Sequence, residues 1–277
     1  MLAAEMEYFK PSSIREAVEL FVNLNQKNKM PMYYSGGTEI ITLGRLNLVE
    51  PLSLIDIKGI PECLSLQKDL SFLIIGAAIP LTVLEVQNPF PLLTGVSKEI
   101  ADRTARNKIT IGGNICGKIF YREAVLPLLL TESQLVIAGR NGVRREPIQS
   151  VFVKEMQLNE GEFLVQILTD ITLLNLPFLS VKKRQQWETG YPLVTVAALK
   201  KDGQIRFAFS GVCSFPFRSK EMETELNNPE LSYEERVERA LHYLPGPILH
   251  DVEGSKEYRM FVLKNTLMDF LQRLEGK

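Results

Sequence analysis

The chain carries a glycine pair in each of two segments: Tyr33-Tyr34-Ser35-Gly36-Gly37-Thr38-Glu39-Ile40, and Thr110-Ile111-Gly112-Gly113-Asn114. A Gly-Gly pair can adopt positive φ and has no Cβ atoms, so its backbone N–H groups can point into one concave surface and bind an oxygen-rich anion. One such segment could hold a phosphate, and two from distant parts of one chain could hold both ends of a pyrophosphate. A bare pair, however, is more often a tight turn without a ligand.

Neither pair fits the common phosphate-binding patterns. The Rossmann fingerprint requires G-x-G-x-x-G at the start of a helix, and the P-loop requires Gly-Lys-Ser/Thr after its glycines. The two segments resemble loops in the flavin-binding subunits of molybdenum hydroxylases, the group of xanthine dehydrogenase, aldehyde oxidase and carbon monoxide dehydrogenase. Ser35-Gly36-Gly37-Thr38-Glu39 resembles the A-G-G-T-D loop of that family, and Thr110-Ile111-Gly112-Gly113-Asn114 resembles its T-I-G-G-N loop.

The resemblance extends over almost the whole chain. The stretch from Glu7 to Ala17 is similar to the family's opening strand and first helix, and Leu54 to Glu62 is similar to its link between two subdomains. Near the end, Asp251-Val252-Glu253-Gly254-Ser255-Lys256-Glu257-Tyr258-Arg259 resembles the D-x-x-G-S-x-E-Y-R signature of its C-terminal domain. On these motifs, in this order, the chain is identified as a member of the family.

The order of strand and helix patterns indicates an α+β fold. The resemblance implies a PCMH-type FAD-binding domain over residues 1–176, built from two α/β subdomains at about residues 1–60 and 61–176. Residues 177–277 are expected to form a C-terminal domain with an antiparallel sheet backed by helices. The breaks at Lys58-Gly59-Ile60-Pro61 and at Pro177 set these boundaries.

Several elements can be predicted with a local reason. Ser13-Ile14-Arg15-Glu16 has capping-box spacing and predicts a helix over residues 13–26, and a second helix is expected from Thr38 to Leu48. A helix is also expected near residues 93–102, before the second glycine segment. Asp202-Gly203 predicts a tight hairpin, and Ser255 is a good N-cap for a last helix. That helix is expected to bury one apolar face, formed by Phe261, Leu267, Phe270, Leu271 and Leu274.

Composition argues against several classes of protein. The 277 residues carry a formal net charge of −1, so no basic field favours nucleic acid. No stretch reaches the ~18 apolar residues of a membrane span. Residues 1–7 lack the basic start of a signal peptide, which makes the cytoplasm the expected location.

Cysteine and histidine content bears on metals and partners. The three cysteines, Cys63, Cys116 and Cys213, are too few and too scattered for a disulfide framework or for four-thiolate ligation of an iron–sulfur cluster. The two histidines, His242 and His250, show no metal-binding spacing, so no protein-bound metal is expected. Any [2Fe–2S] centre that serves this chain would therefore lie on another polypeptide.

The resemblance implies that both glycine segments contact the diphosphate and ribityl chain of FAD. The residues concerned are Tyr33, Tyr34, Ser35, Gly36, Gly37, Thr38, Glu39, Ile40, Thr110, Ile111, Gly112, Gly113 and Asn114. The family also has an acidic residue nine positions after the asparagine, which binds a cofactor hydroxyl. Counting from Asn114 gives Glu123, whereas aligning on Leu126-Pro127 gives Val125.

Further contacts are implied around the two ends of the cofactor. Cys116 occupies an apolar family position near the isoalloxazine ring and is expected to act as a small hydrophobe there. Leu164 or Val165 matches a position beside the adenine or ribose. Lys182 or Lys183 fits a lysine at the pyrimidine edge of the flavin, where a cation stabilises the reduced ring.

Trp187 and Tyr191 follow the basic run. Either aromatic side chain could stack on the flavin or shield it, but packing in the core is the favoured interpretation for both.

The implied function is that of an FAD subunit of a molybdenum hydroxylase. Electrons would pass from a molybdopterin-binding large subunit, through a [2Fe–2S] small subunit, to this FAD and then to NAD+ or another acceptor. Asn114 to Gly117 and Phe209 to Cys213 resemble the purine-oxidising, xanthine dehydrogenase type most. The alternatives are a carbon monoxide or aldehyde dehydrogenase type, a stand-alone flavin reductase on a related fold, and a non-enzymatic scaffold.

Overall fold

The computed structural model describes residues 6–185 and 190–276. The strands in these residues are β1 Glu7–Phe9, β2 Pro31–Tyr34, β3 Ser53–Asp56, β4 Leu66–Lys68, β5 Phe72–Gly76, β6 Gln134–Gly139, β7 Gly142–Pro147, β8 Phe163–Asp170, β9 Phe178–Lys183, β10 Val194–Lys201, β11 Gln204–Ser210 and β12 Phe217–Arg218.

The helices in the same residues are α1 Ile14–Gln26, α2 Thr38–Arg45, α3 Leu81–Gln87, α4 Pro91–Ser97, α5 Arg103–Arg106, α6 Ile111–Cys116, α7 Val125–Leu130, α8 Ile148–Val151, α9 Lys220–Leu226, α10 Tyr233–Leu241 and α11 Lys256–Glu275. Short 3-10 turns lie at Ile57–Gly59, Pro61–Leu64 and Ile171–Leu173.

Three sheets follow one another along the chain. The first has the order β1-β3-β2 and is parallel, which requires the crossover helices α1 and α2 between its strands. The second is antiparallel, with the order β4-β5-β8-β6-β7, and the third is antiparallel, with the order β12-β11-β10-β9. The α+β class and the antiparallel last sheet agree with the prediction.

Local sequence signals explain many of the element ends. Ser13 caps α1 by accepting a hydrogen bond from the Glu16 N–H, and Ser255 caps α11 in the same way from Tyr258. Asp202 and Gly203, both with positive φ, form the tight turn between β10 and β11. These three predictions are confirmed.

Other expectations need correction. Phe261 is 63% exposed and does not belong to the buried face of α11. The helix expected near residues 93–102 is α4, which begins earlier, with Pro91 as its first residue, and ends at Ser97. Trp187 lies outside the described residues.

The largest apolar core joins the second sheet to the third. It combines β5, β6 and the fully buried helix α7 with Ala197, Leu199 and Ala208 of β10 and β11. A second core lies between the other face of the third sheet and helices α9 to α11, and a third lies under the first sheet. In residues 6–185 and 190–276, no helix combines the length and apolarity that a membrane span requires.

Candidate functional site

The first glycine segment connects β2 to α2. Gly37 has φ +72° and is the N-cap of α2, a left-handed conformation that favours glycine. A Cβ atom on Gly36 would lie 1.9 Å from the carbonyl oxygen of Lys108, just before the second segment. Glycine is therefore needed here because the two segments touch. The N-terminus of α2, whose first N–H groups have no acceptor within the helix, faces this junction.

The second glycine segment is the first turn of α6, so its expected description as a loop is wrong. Thr110 caps the helix, and its hydroxyl accepts a hydrogen bond from the Gly113 N–H at 3.1 Å. Gly112 packs so closely that a Cβ atom would lie 2.7 Å from the Ala77 side chain.

The backbone of this segment is already hydrogen-bonded within the protein. The N–H groups of Ile111 and Gly112 donate to the carbonyls of Ile79 and Ala77, and the N–H of Asn114 donates to the carbonyl of Thr110. The segment can therefore offer an anion its side-chain groups, the Thr110 hydroxyl and the Asn114 amide, more readily than its N–H groups.

Two polar side chains fasten the junction. The Asn114 side-chain oxygen accepts from the Ala124 N–H at 3.1 Å, which leaves its NH2 group as a donor. The Glu39 carboxylate accepts from the N–H groups of Lys118 and Ile119 at 2.7 and 2.8 Å. Glu39 thus ties α2 to the chain that follows α6.

Two cavities meet at this junction. Cavity A, of about 440 Å³, lies between the glycine segments and the third sheet, and cavity B, of about 340 Å³, lies against the first sheet. Four residues line both and are here called the glycine ridge: Gly36, Gly37, Glu39 and Gly113.

A buried charged pair forms one wall of cavity A. The Lys182 ammonium group donates to the Glu123 carboxylate at 2.9 Å and to the Glu99 carbonyl at 3.0 Å. The Thr195 hydroxyl donates to the other Glu123 oxygen at 2.7 Å. The Lys182 side chain is only 2% exposed, and this burial lowers its pKa despite the attraction of Glu123. Lys183 is exposed, on the opposite face of β9.

A pair of tyrosines forms another wall of cavity A. The rings of Tyr121 and Tyr191 stack with centroids 4.6 Å apart and an interplanar angle of 16°. Burial raises the pKa of the Tyr121 phenol. Tyr121 and Arg122, which also lines cavity A, were not predicted, although they lie directly before Glu123. The sequence signal that could have identified them is an aromatic residue followed by a basic one directly before the predicted Glu123.

Cavity B is aromatic and aliphatic. The Tyr33 ring packs between Phe21 and Phe163, with centroids 5.1 and 4.5 Å away, and its hydroxyl donates to the Gly161 carbonyl. Leu164 and the half-buried Cys116 complete the wall. Burial raises the pKa of the Cys116 thiol to about 12, so it is an inert group near neutral pH.

The predicted site residues mostly come together. Cavity A receives Thr38, Thr110, Asn114, Glu123 and Lys182, and cavity B receives Tyr33, Tyr34, Ser35, Ile40, Gly112, Cys116 and Leu164, in addition to the ridge. Cys116 and Lys182, both expected beside one ring, thus line different cavities.

Three predicted residues do not line either cavity. Ile111 and Val165 are buried in the core at 0% and 1% exposure, and Lys183 points away. Val125, the alternative to Glu123, is also a fully buried core residue of α7. The structure therefore places Glu123 and Lys182, and not Val125 or Lys183, at the site.

The geometry suits an elongated ligand with an anionic centre. Its two ends would occupy cavities A and B, and its centre would cross the glycine ridge at the N-terminus of α2. The Ser35 hydroxyl is inaccessible to solvent and has no hydrogen-bond partner in the described part of the chain, which fits a polar ligand atom at that point.

Comparison with known proteins identifies the family. The model of the FAD binding domain in molybdopterin dehydrogenase matches residues 4–169. The chain therefore belongs to this family, and its cofactor is FAD.

Individual relatives extend the comparison. The carbon monoxide dehydrogenase medium chain of Hydrogenophaga pseudoflava is 32% identical over 173 residues, which span 60% of this chain and 59% of that protein. The glyceraldehyde dehydrogenase medium chain of Sulfolobus acidocaldarius is 26% identical over 95% of this chain and 96% of its own length. A solved structure of carbon monoxide dehydrogenase from Hydrogenophaga pseudoflava, lacking the Mo-pyranopterin moiety of its molybdenum cofactor, superposes with a TM-score of 0.85. It is 25% identical and covers 97% of this chain and 96% of that one.

Proposed function

We propose that this chain is the FAD-carrying electron-transfer subunit of a multi-subunit molybdenum hydroxylase. The observation that carries the proposal is the pair of cavities joined across the glycine ridge, within a fold that follows a carbon monoxide dehydrogenase chain over almost its full length. The two relatives described above are named as medium chains, which supports a role as one subunit among several.

The two cavities divide the cofactor by chemistry. Cavity A, with its buried lysine and tyrosine wall, suits the isoalloxazine ring, and cavity B, with its aromatic and aliphatic lining, suits the adenosine. FAD supplies reversible electron uptake and release. Lys182 forms part of the wall of cavity A, where Glu123 balances its charge and Thr195 in turn donates to Glu123, so that the pair gives the ring a fixed polar neighbour. The stacked rings of Tyr121 and the half-exposed Tyr191 offer an aromatic surface on that side.

The remaining partners follow from what the chain lacks and from its family. The proposal places the [2Fe–2S] clusters on a small subunit and the molybdopterin on a large subunit, with electrons leaving FAD for NAD+ or another acceptor. A cytoplasmic location is part of the same proposal.

The substrate of the complex would bind on another chain. The motifs at Asn114–Gly117 and Phe209–Cys213 favour a xanthine dehydrogenase type and a place in purine metabolism. The names of the relatives favour the alternative of a carbon monoxide or aldehyde dehydrogenase type. Anaerobic addition of xanthine, an aldehyde or carbon monoxide to the co-expressed complex distinguishes these types by which compound bleaches the flavin absorbance.

Hydrogen exchange tests the orientation of the cofactor. The FAD-free chain is compared with and without ADP, which has the adenosine and diphosphate but no flavin, and then with FAD. We expect ADP to slow exchange at β2 and β8, beside cavity B, and FAD to slow exchange at β9 as well. Protection of β9 by ADP would mean the reverse orientation. No protection anywhere by FAD would contradict the FAD-binding role.

A further inference from the structure

Arg122 is a buried cation without a carboxylate partner. The residue is 4% exposed and has φ +33°, in the left-handed region that arginine rarely adopts. Its guanidinium donates only to carbonyl groups, those of Gly117 at 3.1 Å and Lys154 at 2.7 Å. Its Nε has no acceptor, and no carboxylate of the described residues lies within ion-pairing distance.

The other buried arginines of the described chain all have a compensating acid. Arg106 pairs with Glu85 at 3.2 Å, and Arg236 pairs with Glu275 at 2.6 Å. Arg259, which is fully buried, pairs with Asp251. A buried charge without such a partner is costly, so the exception at Arg122 calls for an anion from outside the chain.

The position of Arg122 indicates which anion this is. Arg122 lines cavity A. Its acceptor Gly117 packs against Glu39 of the glycine ridge so closely that a Cβ on Gly117 would lie 2.4 Å from the Glu39 carboxylate. The guanidinium is therefore near the ridge, whereas the Lys182 ammonium group, which also lines cavity A, already has Glu123 as its partner.

We propose that Arg122 recognises the diphosphate of FAD and compensates its charge. This inference rests on the proposed function. A guanidinium binds phosphate oxygens through directed, charge-assisted hydrogen bonds, and a free Nε–H is a donor of the required kind. Burial lowers the pKa of Arg122, and the nearby Glu155 and Glu39 carboxylates only partly oppose this effect. Arg122 would thus share the anion with the N-terminus of α2.

The test measures the affinities of FAD, ADP and riboflavin for the FAD-free full chain and its variants. We expect Arg122→Gln to weaken the binding of FAD and of ADP by a similar factor, about tenfold to a hundredfold, because both ligands carry the diphosphate. Riboflavin, which has no phosphate, should bind as in the wild type. Arg122→Lys keeps the charge and should therefore restore part of the lost affinity. Raising the salt concentration should weaken FAD binding less in Arg122→Gln than in the wild type.

A matched control separates recognition from folding. Arg218 is a poorly exposed guanidinium that pairs with Glu223 at 2.7 Å and lines neither cavity, so Arg218→Gln should lower stability without changing FAD affinity. Equal losses for riboflavin and FAD in Arg122→Gln, loss of FAD affinity alone with ADP unchanged, or no change with any ligand would each overturn the proposal. Failure of the wild type to bind FAD would instead overturn the proposed function.

Discussion

Lys182 and Arg122 show how differently two buried cations can be used at one site. Lys182 is neutralised inside the protein by Glu123, which accepts a second hydrogen bond from Thr195. Arg122 has only carbonyl acceptors. The first arrangement is stable without a ligand, and the second gains stability when an anion binds. The FAD-free chain should therefore already hold the Lys182 wall of cavity A in place.

Removal of Lys182 should be costly because it leaves a buried carboxylate behind. We expect Lys182→Met to lower the free energy of unfolding by about 3–5 kcal/mol, measured by urea denaturation. The double variant Lys182→Met with Glu123→Gln should recover most of this loss. Lys183→Met, on the exposed face of the same strand, is the control and should change stability by less than about 0.5 kcal/mol. Equal losses in the two lysine variants would contradict the pairing.

The same pair predicts a pH dependence. Burial lowers the pKa of Lys182 from its ordinary value of 10.5, so the folded chain releases this proton at a lower pH than the unfolded chain does. Between these two pKa values the unfolded chain binds more protons, and unfolding becomes less favourable as pH rises. The stability advantage of the wild type over Lys182→Met should therefore grow as pH rises toward 10.5. A falling advantage in that range would contradict the lowered pKa.

At the scale of elements, the contact between the two glycine segments depends on missing Cβ atoms. A Cβ on Gly36 would lie 1.9 Å from the Lys108 carbonyl, which cannot move without displacing the start of α6. We expect Gly36→Ala to lower FAD affinity by at least about tenfold, measured by titration of the FAD-free chain. Gly142 has φ +101° in a hairpin with open space around it. Gly142→Ala should therefore cost about 1 kcal/mol of stability and leave FAD affinity unchanged.

The C-terminal signature contributes to the tyrosine wall of cavity A. Arg259 donates to the carbonyls of Leu193 and Gly211 while it pairs with Asp251, and so fixes the chain just after Tyr191. Lysine has no fork of donors with which to bridge these groups. We expect Arg259→Lys to lower the free energy of unfolding by about 3 kcal/mol or more and to weaken the binding of FAD.

Arg236 provides the control for that prediction. It is similarly buried and paired, but it lies in α10 beside Glu275, away from both cavities. Arg236→Lys should lose stability and retain FAD affinity. If both variants bind FAD like the wild type, Arg259 has a structural role only.

Elements with local signals are predictable from the sequence, whereas those decided by tertiary contacts are not. The Ser13 and Ser255 caps and the Asp202-Gly203 turn depend on neighbouring residues only. The helical start after Thr110 is not predictable from the glycine pair, because the N–H groups of Ile111 and Gly112 donate to the carbonyls of Ile79 and Ala77, which are distant in sequence. Likewise, which of two adjacent lysines faces the cavity depends on the orientation of β9, which spacing alone did not give.

At the scale of the whole molecule, the predicted boundary near residue 176 crosses a continuous core. Helix α7 is entirely buried, and its carbonyls at Leu129 and Leu130 accept hydrogen bonds from Arg218 and Arg206 of the third sheet at 3.0 and 2.6 Å. The Ser210 hydroxyl donates to the backbone carbonyl of Tyr121. The sequence marks the boundary by Pro177 and a change of pattern, but it cannot show that apolar faces on both sides are packed together. The domain division therefore stays a prediction.

This packing predicts how the molecule unfolds. Because the second and third sheets share one core, the chain should unfold in a single cooperative transition, with fluorescence and far-UV circular dichroism giving coincident curves. Residues 1–176 alone would expose the face of α7 that Ala197, Leu199 and Ala208 cover, and we expect this piece to aggregate. Saturation with FAD at about 100 times its dissociation constant should stabilise the full chain by about 2.7 kcal/mol without splitting the transition. Two separate transitions, or a soluble and cooperatively folded 1–176 piece, would mean that the boundary at residue 176 separates independent domains and that FAD alone couples them.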